Sequence, residues 1–255
     1  MKLTIGMAVY NDYSGVYFTV ESLRMYHDLT DCEIIIVDNY GDKVLEDWIN
    51  YWQKGIARYV RCDITGTTQA RQMVFDEAKG KYVICIDSHV LLCPGALDNI
   101  PDTNNLMHGP MLYDDLKSAS THMNNEWRGN MWGTWSEAVR PYDLPKEPFQ
   151  IPMHGLGFFC CKKSEWVGFN PDFRGFGGEE GYIHEKFRQA GKDVWCVPSM
   201  MWTHRFQNGT GYPLHLQDRV RNYLIGFKEL GMDTSPIYEH FGISMVKKIA
   251  LSINR

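Results

Sequence analysis

The first 90 residues alternate short apolar runs with segments of helical period, and that alternation leaves the chain few folds to choose from. "LTIGMAVY" (3–10) reads as a strand, and Ser14 is the candidate cap of a helix carrying Val16, Val20 and Leu23 on one face. "CEIIIVDN" (32–39) is a near-continuous apolar run ending in an acid, as expected of a parallel strand buried on both faces. "ARYVRC" (57–62) is a weaker strand. A helix then starts at Thr67 or Thr68, turns Ala70, Met73, Val74 and Ala78 inward and stops at Gly80, before "YVICID" (82–87) closes the series. A β-α-β-α-β order of this kind predicts a mostly parallel central sheet with right-handed crossovers and helices on its faces.

In such sheets ligands gather beyond the carboxyl ends of the strands. Three of these strands end in polar groups: Tyr10-Asn11-Asp12, Asp38-Asn39 and Asp87-Ser88-His89. A lone strand-end Asp is usually a turn or cap residue, whereas three on one sheet edge form a candidate pocket. Asp87 and His89, two residues apart, share one face of an extended chain and can close on one ion. His204, ending the buried segment "DVWCVPSMMWTHRF" (193–206), is the best third ligand. A carboxylate with imidazoles suits a divalent ion such as Mn²⁺, with Mg²⁺ the alternative.

The second half is less regular. Residues 101–150, with "NNEWRGNMWGTW" at 124–135, read as a long loop region over the sheet, ordered by its tryptophans. Trp127, Trp132 and Trp135 could stack on acceptor rings or serve in packing. "GLGFFCCKK" gives a strand, and Gly177-Gly178 precede a helix, "EEGYIHEKFRQAG", with Ile183, Phe187 and Ala190 inward. Beyond Tyr212 one helix is expected, at 216–230.

At 255 residues and 44% hydrophobic, the chain can bury a substantial core as a single domain. The net charge of −5 has no long runs, which argues against a protein that coats nucleic acid. No apolar run reaches the roughly 18 residues of a membrane span, and the N-terminus does not read as a signal peptide. The seven cysteines are odd in number, lie mostly in apolar runs and form no C-x-x-C pair, so they read as free thiols and the expected location is the cytoplasm.

With those residues in view, "GTTQARQMVFDEAKGKYVICIDSHV" resembles the stretch leading into the Asp-x-Asp or Asp-x-His motif of nucleotide-sugar glycosyltransferases of the GT-A fold (family 2). "FRGFGGEEGYIHEKFRQAG…WCVPSMMWTHRF" resembles the Trp-Gly-Gly-Glu region and downstream metal histidine of polypeptide N-acetylgalactosaminyltransferases and β-1,4-galactosyltransferases. The resemblance covers most of residues 1–206. Phe176 stands where those families usually have Trp, and neither a lectin domain nor a membrane anchor is visible.

The resemblance implies a GT-A domain over 1–212, with a nucleotide-binding half (1–100) and a sugar and acceptor half (101–212), and a helical extension over 213–255. It also implies roles. Ala8, Val9 and Tyr10 would border the base and ribose of a nucleoside-diphosphate sugar, a UDP-sugar by preference, with Asp38 reaching the base. Arg71 would lie near the base or diphosphate, and Asp87 and Ser88 would border the donor. Asp87, His89 and His204 would hold the metal against the diphosphate, assisted by Arg205. Gly155 and Gly157 would let backbone approach the sugar. Glu179 and Glu180 would face sugar and acceptor, with Glu180 aligned with the base of inverting relatives; retaining relatives have Asn there.

The acceptor reading stays open between a surface glycan or glycolipid and a hydroxymethylated DNA base. The latter follows from a resemblance to predicted phage and bacterial DNA-base glucosyltransferases and from a possible basic rim of Lys162, Lys163, Arg174, Lys186, Arg188 and Lys247-Lys248. Two other classes compete. A sugar-1-phosphate nucleotidyltransferase would carry a basic Gly-rich loop after its first strand, where this chain has "YNDYSG". A non-catalytic nucleotide-sugar-binding module would be expected to have lost a metal ligand or the base.

Overall fold

The computed structural model describes residues 2–205 and 212–253. Phe206, the last residue of the buried segment read from sequence, lies outside them. In chain order the elements are β1 (Leu3–Val9), α1 (Tyr13–Tyr26), β2 (Cys32–Asp38), α2 (Lys43–Trp52), β3 (Ala57–Arg61), α3 (Thr67–Glu77) and β4 (Tyr82–Asp87). Short strands follow: β5 (Val90–Leu92), β6 (Leu106–His108), β7 (Met111–Leu112), β8 (Ala119–Ser120), β9 (Met123–Arg128), β10 (Met131–Trp135) and β11 (Phe149–Gln150). The chain closes with β12 (Phe158–Lys162), α4 (Glu179–Gln189), β13 (Val194–Cys196), β14 (Trp202–His204), α5 (Leu216–Glu229), α6 (Ser235–Phe241) and α7 (Ile243–Ile253).

The main sheet has eight strands in the order β11-β13-β6-β12-β4-β1-β2-β3. From β4 to β3 all pairs are parallel, as the alternation predicts, while β12 runs antiparallel to both its neighbours. The order 3-2-1-4 in the first half means that the chain leaves β1 to one side and returns to β4 on the other. The crevice beyond β1 and β4 is therefore the topological switch point of the sheet.

The near-continuous apolar strands are buried on both faces. One face receives Val16, Val20 and Leu23 of α1 and Leu45 and Ile49 of α2 against Ile5, Met7 and Ile36. The other receives Val74 and Phe75 of α3 and Ile183 and Phe187 of α4 against Ile35, Val37 and Val83. All seven cysteines are free. Among the described residues no helix is long and apolar enough to cross a membrane.

Three local expectations need correction. Asp12, not Ser14, caps α1, its carboxylate accepting the Gly15 N–H at 3.1 Å. Residues 101–150 are not a bare loop: β9 and β10 form a hairpin, and β7 and β8 join β5 and β14 in a four-stranded second sheet. These strands are two to six residues long, too short for a period-2 pattern to stand out. The chain beyond Tyr212 holds three helices rather than one, packed around Val220, Tyr223, Phe227, Ile237, Val246 and Ile249. Trp127 and Trp132 of the hairpin pack on this cluster.

The β1–α3 contact is close enough to require glycine. A Cβ on Gly6 would lie 2.1 Å from Val74 Cγ1. We expect Gly6→Ala to destabilise by about 1–3 kcal/mol through overpacking. Urea denaturation should show part of that loss recovered in the Gly6→Ala/Val74→Ala double variant, and strict additivity would refute the contact.

Candidate active site

Three polar segments meet at the switch point, each delivered by a strand end. Asp87 ends β4, His89 follows it by two residues, and His204 ends β14. β14 pairs antiparallel with β5, and the Arg205 N–H donates to the His89 carbonyl at 3.1 Å. That pairing brings His204 beside a motif more than a hundred residues earlier. One ligand atom from each of Asp87, His89 and His204 lies within 4.8 Å of the others, and this is the single such group among the described residues. The two imidazole rings are edge-on with centroids 4.7 Å apart. A carboxylate oxygen with two imidazole nitrogens fits a divalent ion of the Mn²⁺ kind.

Two of the three candidate ligands, His89 and Asp87, are each oriented by a residue behind them. The carboxylate of Asp12 accepts hydrogen bonds from His89 Nδ1 at 2.9 Å and from Ser88 Oγ at 2.7 Å. With its proton on Nδ1, His89 keeps the Nε2 lone pair for an ion, the usual carboxylate–histidine–metal arrangement. Burial raises the Asp12 carboxyl, but the bonds from His89 and Ser88 outweigh it and hold the group at about 2. Burial lowers His89, and Asp12 with Asp87 more than reverses this, leaving the imidazole above its ordinary range. Asp87 is likewise held well below the carboxylate range: burial raises it, and Arg71 and His204 lower it further.

Arg71 is the hidden centre of this arrangement. It is 5% exposed, with Nη2 3.0 Å from Asp87 Oδ1 and Nη1 3.0 Å from Glu179 Oε1. Glu179 is fully buried and also accepts from Thr67 Oγ1 at 2.6 Å. Its carboxylate is thus engaged with α3, and it does not line the cavity as the sequence reading expects. Glu180, one residue on, does. Burial and the neighbouring Glu179 push the Glu180 carboxyl up to about 7.

The cavity beside the triad has a volume of about 480 Å³. Ala8, Val9, Tyr10, Arg71, Asp87, Ser88, Gly155 and Gly157 all line it, together with the triad histidines. Asp38 does not: it is fully buried, and its oxygens accept from the N–H groups of Tyr40, Gly41 and Asp42 and from Tyr59 Oη. It holds the loop after β2, and Asn39 faces the cavity instead. Arg205 is not among the lining residues; its Nη2 is 3.8 Å from Oδ1 of Asp12, the residue behind His89. Gly155 and Gly157 also make room for rings, since a Cβ at either would sit 3.0 Å from Trp135 or Trp202.

Sequence reasoning singled out Trp135, which lines the cavity, but missed Met111, Met123, Met131 and Trp202 beside it and the Tyr212 ring, 4.5 Å from that of Tyr10. It also missed the brace behind Glu180. Gly177 and Gly178 have φ of 97° and 94°, where a side chain would be strained. Asn222 of α5, 1% exposed, donates to the carbonyls of Arg174 and Gly177 at 2.9 Å and accepts from the Arg174 N–H at 3.1 Å. A buried Asn on a helix with no adjacent motif gives no sequence signal.

Residues 4–100 match the family model "Glycosyl transferase family 2". No curated protein matches the chain in sequence. Among solved structures, GalNAc-T7 with UDP, GalNAc and Mn²⁺ superposes with a TM-score of 0.72 at 18% identity, over 89% of this chain and 48% of that one. The mannosyltransferase PcManGT from Pyrobaculum calidifontis with GDP-Man and Mn²⁺ gives 0.61 at 13%, over 98% and 73%. S. aureus TarS 1–349 with UDP-GlcNAc gives 0.56 at 12%, over 93% and 69%. The fold is therefore GT-A, and the chain spans about half the length of GalNAc-T7.

Removing the cation between Asp87 and Glu179 would leave the buried Glu179 and the part-buried Asp87 carboxylates facing each other without a counter-charge. We expect Arg71→Met to cost about 3–5 kcal/mol at neutral pH. Urea titration should show most of that loss relieved in Arg71→Met/Glu179→Gln; an unrelieved loss would disprove the pairing. A second outcome concerns Glu180. Its carboxyl binds a proton more tightly folded than unfolded, so the stability it contributes is full below about pH 4.5 and lost as pH rises through about 7. Metal-free Glu180→Gln should therefore gain about 2–3 kcal/mol over wild type at pH 8 and little at pH 4; equal gains at both would refute the raised pKa.

Proposed function

We propose that the protein is a metal-dependent glycosyltransferase that moves a sugar from a nucleoside-diphosphate sugar, a UDP-sugar by preference, to a hydroxyl acceptor. The observation that carries the reading is the Asp87–His89–His204 group opening onto a cavity that also holds a carboxylate of raised pKa. The family match over the strands that supply Asp87, and solved neighbours in complex with UDP or GDP-Man and Mn²⁺, support it.

Asp87, His89 and His204 would hold the ion. When bound, it supplies Lewis-acid stabilisation of the charge that grows on the departing diphosphate. Asp12 and Arg71 keep His89 and Asp87 in the ligating orientation. Ala8, Val9, Tyr10 and Ser88 line the donor side. Glu180 takes the acceptor proton: its pKa near 7 lets it deprotonate an attacking hydroxyl near neutral pH, in an inverting displacement.

The acceptor we favour is a glycan or glycolipid hydroxyl rather than a DNA base. Lys162, near the opposite end of the sheet, is paired with Asp102, and Lys163 donates to the Ala78 carbonyl. Arg174 is bound to Asp218, Lys186 to Glu229 and Arg188 to Glu185. These five cations are locally engaged, Lys247 and Lys248 lie exposed on α7, and none of the seven lines the cavity, which is why we favour the glycan reading.

Thermal shift and donor-turnover assays with UDP-, GDP-, CDP- and TDP-sugars, each with and without Mn²⁺, test the reading. Mn²⁺-dependent stabilisation and sugar release are expected, with stabilisation lost in His89→Ala. Glu180→Gln should keep nucleotide binding within about threefold and lose transfer by at least about 10²-fold. Equal stabilisation by a nucleoside triphosphate with a sugar 1-phosphate would favour nucleotidyl transfer instead.

A further inference from the structure

Behind the cavity lie three histidines that the reaction outlined above does not use. His108, His154 and His184 are each 0% exposed. Their rings stack, His108 on His154 with centroids 4.9 Å apart and His108 on His184 at 4.8 Å. Parallel stacking is not how three imidazoles converge on one ion, and among the described residues they form no candidate metal group.

Their hydrogen bonds run to backbone groups of α4, of the segment around His154 and of β12. His184 Nδ1 meets the carbonyl of Glu180, one turn earlier on α4. His184 Nε2 meets the His154 N–H at 3.2 Å and His108 Nε2 at 2.9 Å. His108 Nδ1 meets the Phe158 carbonyl at 2.9 Å. Partner chemistry fixes the proton on His184: a carbonyl only accepts, so Nδ1 carries the hydrogen, and a backbone N–H only donates, so Nε2 presents its lone pair. Burial keeps all three rings neutral at neutral pH. Neutral His108 has one proton for two acceptors, Phe158 and His184, and serves them one at a time. His184 is the member whose two nitrogens are both committed.

We propose that His184 is a positioning residue, tying the first turn of α4, which carries Glu180, to the 154–157 segment, whose Gly155, Leu156 and Gly157 also line the cavity. The proposal rests on the reading of Glu180 as the base. Glu180 sits in the first turn of its helix; Asn222 braces the glycine turn before it and Arg71 with Thr67 holds the neighbouring Glu179, but none of these bonds reaches the 154–157 segment. The two sides of the sugar pocket come from segments that are joined neither by strand pairing nor by sequence. At the Glu180 end of α4 a buried imidazole links them, Nδ1 to the Glu180 carbonyl and Nε2 to the His154 N–H. The far end of the helix is tied separately by Arg188 Nη1, which donates to the Pro152 carbonyl at 2.7 Å. Misplacement of a reacting group by about 1 Å can cost 10²-fold in rate, so the tether should be visible in turnover rather than in donor affinity.

The test uses the full chain with Mn²⁺ and the best UDP-sugar. His184→Phe keeps a ring but neither nitrogen; His184→Asn keeps an amide donor near the place of Nδ1. We expect kcat to fall about 10–100-fold in His184→Phe, with KM for the donor and Mn²⁺ affinity within about threefold of wild type, and His184→Asn to recover at least about fivefold. Nitrogen-15 NMR of histidine-labelled protein should show His184 protonated at Nδ1 and bare at Nε2, the signal being assigned by its loss in His184→Asn. Wild-type-like kcat in His184→Phe, a parallel loss of Mn²⁺ affinity, or a proton on Nε2 would overturn the tether while leaving the glycosyltransferase reading intact. A wild-type chain that turns over no nucleotide sugar would overturn that reading and the proposal together.

Discussion

Arg71 lies almost sealed from solvent between Asp87 and Glu179, and most of the site is arranged around that cation. One carboxylate comes from the end of a central strand and the other from the start of α4, while the guanidinium comes from α3. The consecutive elements α3 and β4 are thereby fixed by directional bonds to each other and to α4, far along the chain. The same junction is reinforced where the Thr67 N–H donates to the Gly175 carbonyl at 3.0 Å and the Thr67 hydroxyl to Glu179. A buried ion pair of this kind contributes little net stability over an apolar replacement. What it supplies is geometry: Asp87 keeps one oxygen for Arg71 and the other toward His204, whose Nε2 is 3.7 Å away.

The charges around this junction are sorted by their surroundings. Asp12 and Asp87, hydrogen-bonded or ion-paired, stay ionised far below neutrality, as ligand support for a cation requires. Glu180 lies in a less compensated place next to Glu179 and is driven the other way. Carboxylates whose environments push their pKa values apart are suited to different tasks, charge and proton transfer respectively. The ordering follows from burial and partners, since all are the same functional group.

The second half of the chain acts on the first as a brace. β14 lies against β5 and delivers His204; Asn222 of α5 secures the strained glycine turn before α4; the Trp127–Trp132 hairpin packs against α5 and α6. Trp135 alone of those three tryptophans lines the cavity. The ambiguity between stacking platform and packing therefore resolves residue by residue.

The parallel half of the sheet, its two-faced burial and the switch-point pocket were legible in the sequence, because a strand buried on both sides must be continuously apolar and must then announce its end. Asp87, His89 and His204 were legible for the same reason: each interrupts or terminates an apolar run. Chain order alone did not distinguish Glu179 from Glu180, or Asp38 from Asn39, because adjacent residues at a helix start or strand end differ in direction and not in type. The orienting role of Asp12, the cation between Asp87 and Glu179, the histidine stack and the α5 brace were decided only by the tertiary structure. They are contacts between side chains with no periodic relation to one another, and local sequence pattern carries no record of which buried polar groups will meet.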